Sequence, residues 1–510
     1  MKVKRSPQYF LAWLLLVSII TQAGLAIIYV NYPDIPHDMG YYIWAGKMLL
    51  SGKPLYGILQ SNGIYHPYGP LDATIFAGWM MLFGDNYISL KFVSIIFNSL
   101  IIITLFYLIK ELINENAAKW GSFLYAFSYL PLFSSGALGN DDHLYVCFML
   151  LSIYLLIKDK PVFAMVSFGI SLGFGIQMVP VFPAIAYYLY RNYGLKKLLP
   201  YLSIMGITLS FILILFYFNS GLKVLYPYTV LQSSAPVNKV TALSTLNFFR
   251  LLSGFCVNAI HYLTTHTVIP KELNPIPPHT NHPINLFFNQ IATPFFIIGG
   301  IFLLWYMFRF RLEDKKIELL RNSFLWIFGA FVFSKAVSDL HYTWLICPLL
   351  VLILFREQGI FNEFRLKNQE IFGTILTFIG LLILTFICCR GERVETWRWT
   401  LFFIPIIIPM GTYFMFYRTK IRKSWAVLMC GFACFEIMPA NPLLILKPFL
   451  VKFIPETPIS FGTYLSYATL YPFSLLTLLI VLIGIILLAK DMHCLMRENL
   501  LPANDITKRV

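Results

Sequence analysis

Charge is scarce in this sequence. Asp, Glu, Lys and Arg make up 12% of its 510 residues, about half the share usual in a soluble domain. Hydrophobic residues make up 58% and the mean hydropathy is +0.71. A chain folded in water cannot hide that much apolar surface, so a soluble enzyme is excluded. Intrinsic disorder needs the reverse composition and is excluded with it. Cysteine signals are missing too: the eight cysteines show no CxxC, no Cys/His zinc spacing and no disulfide framework. Cys147, Cys347, Cys388, Cys389, Cys430 and Cys434 lie in apolar stretches, where cysteine acts as a small hydrophobe. Neither an internal repeat nor a low-complexity tract stands out. The net charge of +15 comes with no RNA-binding motif, so no nucleic-acid partner is expected. An excess of Lys and Arg is what cytoplasmic loops of a membrane protein collect.

What is present is a series of apolar runs bounded by charges. Fourteen candidate spans appear, at 10–30, 88–109, 120–137, 144–157, 162–176, 178–190, 198–218, 289–308, 322–338, 342–355, 371–389, 400–417, 425–443 and 469–489. The shortest of them read as broken or re-entrant helices, which gives 11 to 14 full spans. The run from Phe10 to Val30 is long enough to cross. With more spans behind it, it reads as a first transmembrane helix and not a cleaved signal. The expected fold class is an all-α polytopic membrane protein with a helical first extracytoplasmic loop.

Placing the N-terminus in the cytoplasm and alternating sides puts 26 Lys+Arg in inside segments and 11 in outside segments, with Lys91 and Lys335 within spans. That bias has the sign of the positive-inside rule and predicts a multi-pass cell-membrane protein with both termini cytoplasmic. The acids then become informative. Asp34 and Asp38 in the loop 31–70, the turn Asn140-Asp141-Asp142-His143, and Asp339 with His341 all fall on the outer face. Solvated turns would not concentrate acids in that way, whereas an active site would. In the loop 31–87, the apolar spacing of Ile43, Ala45, Met48 and Leu49 predicts a helix over 38–50, with Asp38 able to cap it and Gly52 to end it. A second helix is expected from Pro70 to Gly84. Both read as helices resting at the bilayer surface beside a cleft.

Two features depart from the charge rule. Arg390, Arg393 and Arg398 lie outside, and Arg binds phosphate bidentately; local pairing with Glu392 and Glu395 is the other reading. Lys335 lies within a span, four residues before Asp339. A charge there costs roughly 2.5–3.5 kcal/mol on insertion scales, and Asp339 and His341 are its natural partners. Tyr41, Tyr56 and Tyr68 can line a binding site or simply belong to the interfacial tyrosine belt. Asp34, His37, Asp38 and His66 show no metal-ligand spacing, so no cofactor is expected. The outer loop 219–288 holds seven prolines and four histidines, including His261 and His282, and reads as a lid or acceptor-binding loop. The chain divides into a membrane module 1–218 that includes loop 31–87, the loop 219–288, and a C-terminal membrane module 289–510.

Residues 34–70 contain Asp34-Ile-Pro-His-Asp38, Tyr41-Tyr42, Gly52-Lys53-Pro54-Leu55-Tyr56 and Tyr65-His66-Pro67-Tyr68-Gly69-Pro70. This stretch resembles the first extracytoplasmic loop of the GT-C superfamily, the integral-membrane glycosyltransferases that use polyprenyl-phosphate sugars, and most closely its mannosyltransferase-like branch. The resemblance continues through GNDDH (139–143) and the segment 163–189, where Gln177 stands in place of the usual Lys. It covers roughly residues 8–190, and in the C-terminal half only 334–350 is similar. The resemblance implies transfer of a hexose, such as mannose, from a polyprenyl-phosphate donor to a lipid, protein or glycan acceptor of the cell envelope. It implies Asp38, or else Asp34, as the general base. It further implies a substrate site drawn from Tyr41, Lys53, Tyr56, His66, Tyr68, Asn140, Asp141, Asp142, His143, Lys335, Asp339 and His341, to which the charge-rule exceptions Arg390 and Arg393 add a clamp for the donor's phosphate. The partners would be the lipid-linked donor, the acceptor and membrane lipids. A polysaccharide polymerase or ligase, and a flippase or transporter of lipid-linked sugar, remain open from the residues themselves.

Overall fold

The structure is a computed structural model. It describes residues 7–28, 37–56, 68–225, 227–228, 244–267, 269, 275, 282–334, 342–388, 403–437 and 467–497. Among these residues the fold is all helical, with no strand. Each of the fourteen apolar runs holds a helix. The N-terminal half comprises α1 (Pro7–Ile28), α2 (His37–Leu50), α3 (Pro70–Phe83), α4 (Tyr87–Leu112), α5 (Glu115–Phe127), α6 (Tyr129–Leu132), α7 (Asp142–Ile157), α8 (Pro161–Phe174) and α9 (Phe182–Ser220). A π-helical turn, Phe133–Leu138, lies between α6 and α7. The rest is α10 (Thr245–Thr265), α11 (Pro283–Arg309), α12 (Lys315–Phe333), α13 (Thr343–Arg356), α14 (Asn368–Cys388), α15 (Ile404–Met415), α16 (Arg422–Glu436) and α17 (Tyr467–Arg497). Six helical stretches are long and apolar enough to cross a bilayer by length and composition, and α3, α7, α8, α13 and α15 are shorter apolar helices.

Local chemistry sets the boundaries. Asn86 caps α4 by accepting from Ser89 N at 2.8 Å. Asn114 does the same for α5, and Asp314 accepts from two amides of α12, each satisfying donors that a helix start leaves open. α9 is broken at Gly194, whose φ of +73° few other residues adopt. The break separates the two spans expected at 178–190 and 198–218.

Two expectations change in detail. α2 is already helical at His37, so Asp38 lies inside its first turn and is not its cap. The outer loop 219–288 is also not all loop: Ser244 accepts from Asn247 N and starts α10, which packs on α11 and α17.

α1, α4, α5, α7 and α8 pack as neighbours around one core, and α13 reaches into it against α4, α5 and α7. α14 to α17 pack in sequence, α14 on α15, α15 on α16 and α16 on α17. Pairs of distant segments are tied together by charge and by hydrogen bonds. Lys158 pairs with Glu111 at 2.5 Å, Arg191 with Glu318 at 2.7 Å and Arg418 with Glu370 at 2.6 Å. Trp120 donates to Glu363 O. Tyr42 meets Asn140, Leu55 meets Ser220 and Gly69 meets Phe174.

Candidate active site

The first loop supplies one wall. Tyr42, fully buried on α2, stacks on Phe76 of α3 with ring centroids 4.4 Å apart and planes at 4°. Tyr68 closes on the pair, 5.3 Å from Tyr42 and 6.3 Å from Tyr41. Tyr56 donates its hydroxyl to Tyr68 O at 2.8 Å. Burial raises the Tyr56 hydroxyl well above its ordinary pKa, with Tyr228 and the buried Asp72 of α3 adding to the rise, so it stays a hydrogen-bond donor. Gly69 donates to Phe174 O at 2.7 Å, and a Cβ there would lie 2.4 Å from Gly173 O. This wall is thereby held directly against the end of α8. Ser220 and Asn219, at the end of α9, accept from the Leu55 amide at 3.1 Å.

The second wall is the turn between the π-helix and α7. Gly139 adopts φ +72° and sends the chain sharply into Asn140. Asn140 N donates back to Ser134 O at 2.9 Å, and Ser94 Oγ of α4 donates to Asn140 O at 2.6 Å. Lys91, buried one turn earlier on α4, donates to Ala137 O at 2.5 Å. All of Asn140, Asp141, Asp142 and His143 are buried. The Tyr42 hydroxyl donates to Asn140 Oδ1 at 3.0 Å and accepts from Asp141 N at 3.2 Å, joining the two walls.

Asp142 is the hub. Its Oδ2 accepts from Asn140 Nδ2 at 2.7 Å. Its Oδ1 accepts from Trp344 Nε1 of α13 at 2.9 Å and from the Tyr145 hydroxyl. Asn140, Tyr145 and Trp344 all donate to it, the bonding pattern of a carboxylate acceptor. With both oxygens engaged, Asp142 is suited to organise the site. His143 is 1% exposed, and its Nε2 has no hydrogen-bond partner among the described residues.

Of the residues expected at the site, Tyr41, Tyr56, Tyr68, Asn140, Asp141, Asp142 and His143 gather here. Lys53 is exposed at the end of α2, near Asn219, which donates to its carbonyl at 3.3 Å. Asp38 is described by its backbone, one helical turn before Tyr42. Asp34, His66, Lys335, Asp339, His341, Arg390 and Arg393 lie outside the described residues. Sequence reasoning passed over Tyr42, Ser94, Tyr145 and Trp344. Tyr42 stood beside Tyr41 with nothing to rank them. Tyr145 lay three residues after Asp142, a helical neighbour. Trp344, 202 residues from Asp142, gave no local signal.

Residues 65–218 match the family described as dolichyl-phosphate-mannose-protein mannosyltransferase. Two crystal structures of ArnT from Cupriavidus metallidurans are similar in fold. The apo form aligns at 13% identity over 94% of this chain and 77% of its own, with TM-score 0.47. The form bound to undecaprenyl phosphate aligns at 12% identity over 91% and 84%, with TM-score 0.46. None of the curated proteins matches. The matched segment holds Tyr68, the 139–143 cluster and their supports.

Proposed function

We propose that the protein transfers a hexose, mannose first among them, from a polyprenyl-phosphate donor to a lipid, protein or glycan acceptor. The reaction takes place on the extracytoplasmic face, with both termini cytoplasmic. Support for the donor comes from the matched family, whose description names a polyprenyl-phosphate sugar. Support for the face comes from the 26-to-11 distribution of Lys and Arg. The observation that carries the reading is the junction of α2 with the 139–142 turn. Tyr42 is bonded to both Asn140 and Asp141, and Asp38 lies one turn before it on the same helix. In a helix, residues four apart share a face, and this register supports Asp38 as the acid of the site.

In this scheme Asp38 removes the proton from the acceptor hydroxyl, with Asp34 as the second choice of base. The acceptor oxygen bonds to the anomeric carbon as the carbon–oxygen bond to phosphate breaks, and polyprenyl phosphate departs. Lys335, Arg390 and Arg393, with Lys53 and His66, supply positive charge or donors to the departing phosphate. Tyr41, Tyr56 and Tyr68 contact sugar, and Asp339 and His341 hold Lys335. Asp141 and His143, buried in the second wall, complete the substrate contacts. The test is Asp38→Asn, assayed in membranes with a radiolabelled polyprenyl-phosphate sugar. General-base catalysis typically contributes 10²- to 10⁴-fold, so transfer should fall by about that factor while insertion and folding persist. Undiminished transfer overturns the assignment.

A further inference from the structure

Beneath the 139–142 turn, a file of uncharged polar side chains crosses the apolar helices. Gln22 and Ser18 of α1, Asn98 of α4, Tyr125 of α5 and Ser135 of the π-turn are all fully buried. Gln22 Nε2 donates to Ser18 Oγ at 2.8 Å. Gln22 Oε1 accepts from Asn98 Nδ2 at 3.0 Å and, at 2.5 Å, shares the single Ser135 hydroxyl hydrogen with Pro131 O, also at 2.5 Å. Asn98 Oδ1 accepts from the Tyr125 hydroxyl at 2.9 Å. The backbones meet as well: a Cβ on Gly136 would lie 3.0 Å from Gln22 Cα. The residue preceding Ser135 is Ser134, whose carbonyl accepts the Asn140 amide. One continuous path of bonds therefore runs from mid-α1 to the Asn140 side chain, and from there to Tyr42 and Asp142.

Apolar side chains would hold these helices together by packing alone. A buried polar network does something packing does not: it favours one arrangement, because drawing Gln22 or Asn98 out of it leaves an amide donor or acceptor orphaned in an apolar surround. The element it grips is a π-turn, a rare geometry that occurs often at functional sites. We propose that Gln22 and Asn98 are positioning residues: through Ser135 they set the π-turn 133–138, and so fix the Asn140 amide side chain between Tyr42 and Asp142. This rests on the glycosyl-transfer reading for its catalytic consequence, but not for its structural one.

The test combines Gln22→Leu, Ser135→Ala and their double variant with two readouts. Hydrogen exchange of peptides spanning 134–142 should quicken in each single variant, whether or not the protein transfers sugar. Turnover per folded molecule should fall about tenfold in Gln22→Leu, equivalent to about 1.4 kcal/mol of lost transition-state stabilisation. The double variant should lose no more than the weaker single variant, because both substitutions cut one path. Ser135→Ala removes a single hydroxyl and serves alone if Gln22→Leu does not fold. Unchanged exchange over 134–142, or multiplicative losses in the double variant, overturns the proposal. Quickened exchange in a protein that transfers no sugar leaves the positioning intact and removes the glycosyl-transfer reading.

Discussion

The bond from Trp344 to Asp142 ties the C-terminal half of the chain to the site, and its strength can be predicted. Trp344→Phe removes the indole N–H and keeps an aromatic ring against Tyr145 and Phe331, whose centroids lie 5.6 and 5.5 Å away. Hydrogen bonds to a charged group are worth about 1.5–3 kcal/mol, whereas neutral bonds between membrane helices average about 0.6 kcal/mol. Because Tyr145 still donates to the same oxygen, the carboxylate is not orphaned, and the loss should lie near about 1.5 kcal/mol. In an Asp142→Asn background, Trp344 faces a neutral amide and its removal should cost only about 0.6 kcal/mol. The coupling between the two positions is then on the order of 1 kcal/mol. Reversible unfolding in mixed micelles of increasing SDS content, followed by circular dichroism, measures all four proteins. Equal costs for Trp344→Phe in both backgrounds would refute the view that Asp142 draws α13 onto the site by charge-assisted bonding.

Three further outcomes are expected. Tyr42→Phe keeps the stack on Phe76 but deletes both bonds to the turn, so the stability loss in the same titration should be about 1 kcal/mol, with a fall in transfer rate. Gly139→Ala should destabilise by about 1–3 kcal/mol, since φ is +72° and a Cβ would sit 2.6 Å from Lys91 Cγ; an unchanged midpoint would show that the turn relaxes without strain. Lys47 pairs with Asp85 at 2.6 Å, but both side chains are more than half exposed, so Lys47→Ala should leave stability unchanged in 0.15 M salt. The hydrogen bond and charge of Lys47 lower the Asp85 pKa; what little the pair contributes is therefore present above the ordinary carboxylate range and disappears as pH falls through the lowered value. A salt-dependent midpoint shift confined to wild type would show the pair to be stronger than this.

Much of the first loop was legible because its signals are local. The amphipathic run 38–50 and Gly52 gave α2 and its end, with Gly52 at φ +67° and Lys53 N bonded back to Met48 O. Pro70 and Gly84 bracketed α3. The acidic turn at 140–143 stood out as charge among apolar runs, and it became the buried centre. The π-turn did not stand out, since FSSGAL reads like any small-residue helix end. α10 was hidden by the prolines and histidines around it.

Composition and spacing along the chain determined that this is an all-helical membrane protein and where its helices run. Those are properties of short stretches: apolar length fixes a span, and Lys and Arg mark its ends whatever the helices pack against. Only the tertiary structure decided that Tyr42 and not Tyr41 bonds the acidic turn, that Trp344 donates to Asp142, and that Gln22 reaches Ser135. Hydrogen-bond partners depend on the rotation and crossing of packed helices, and those follow from the fit of whole surfaces that no local window contains.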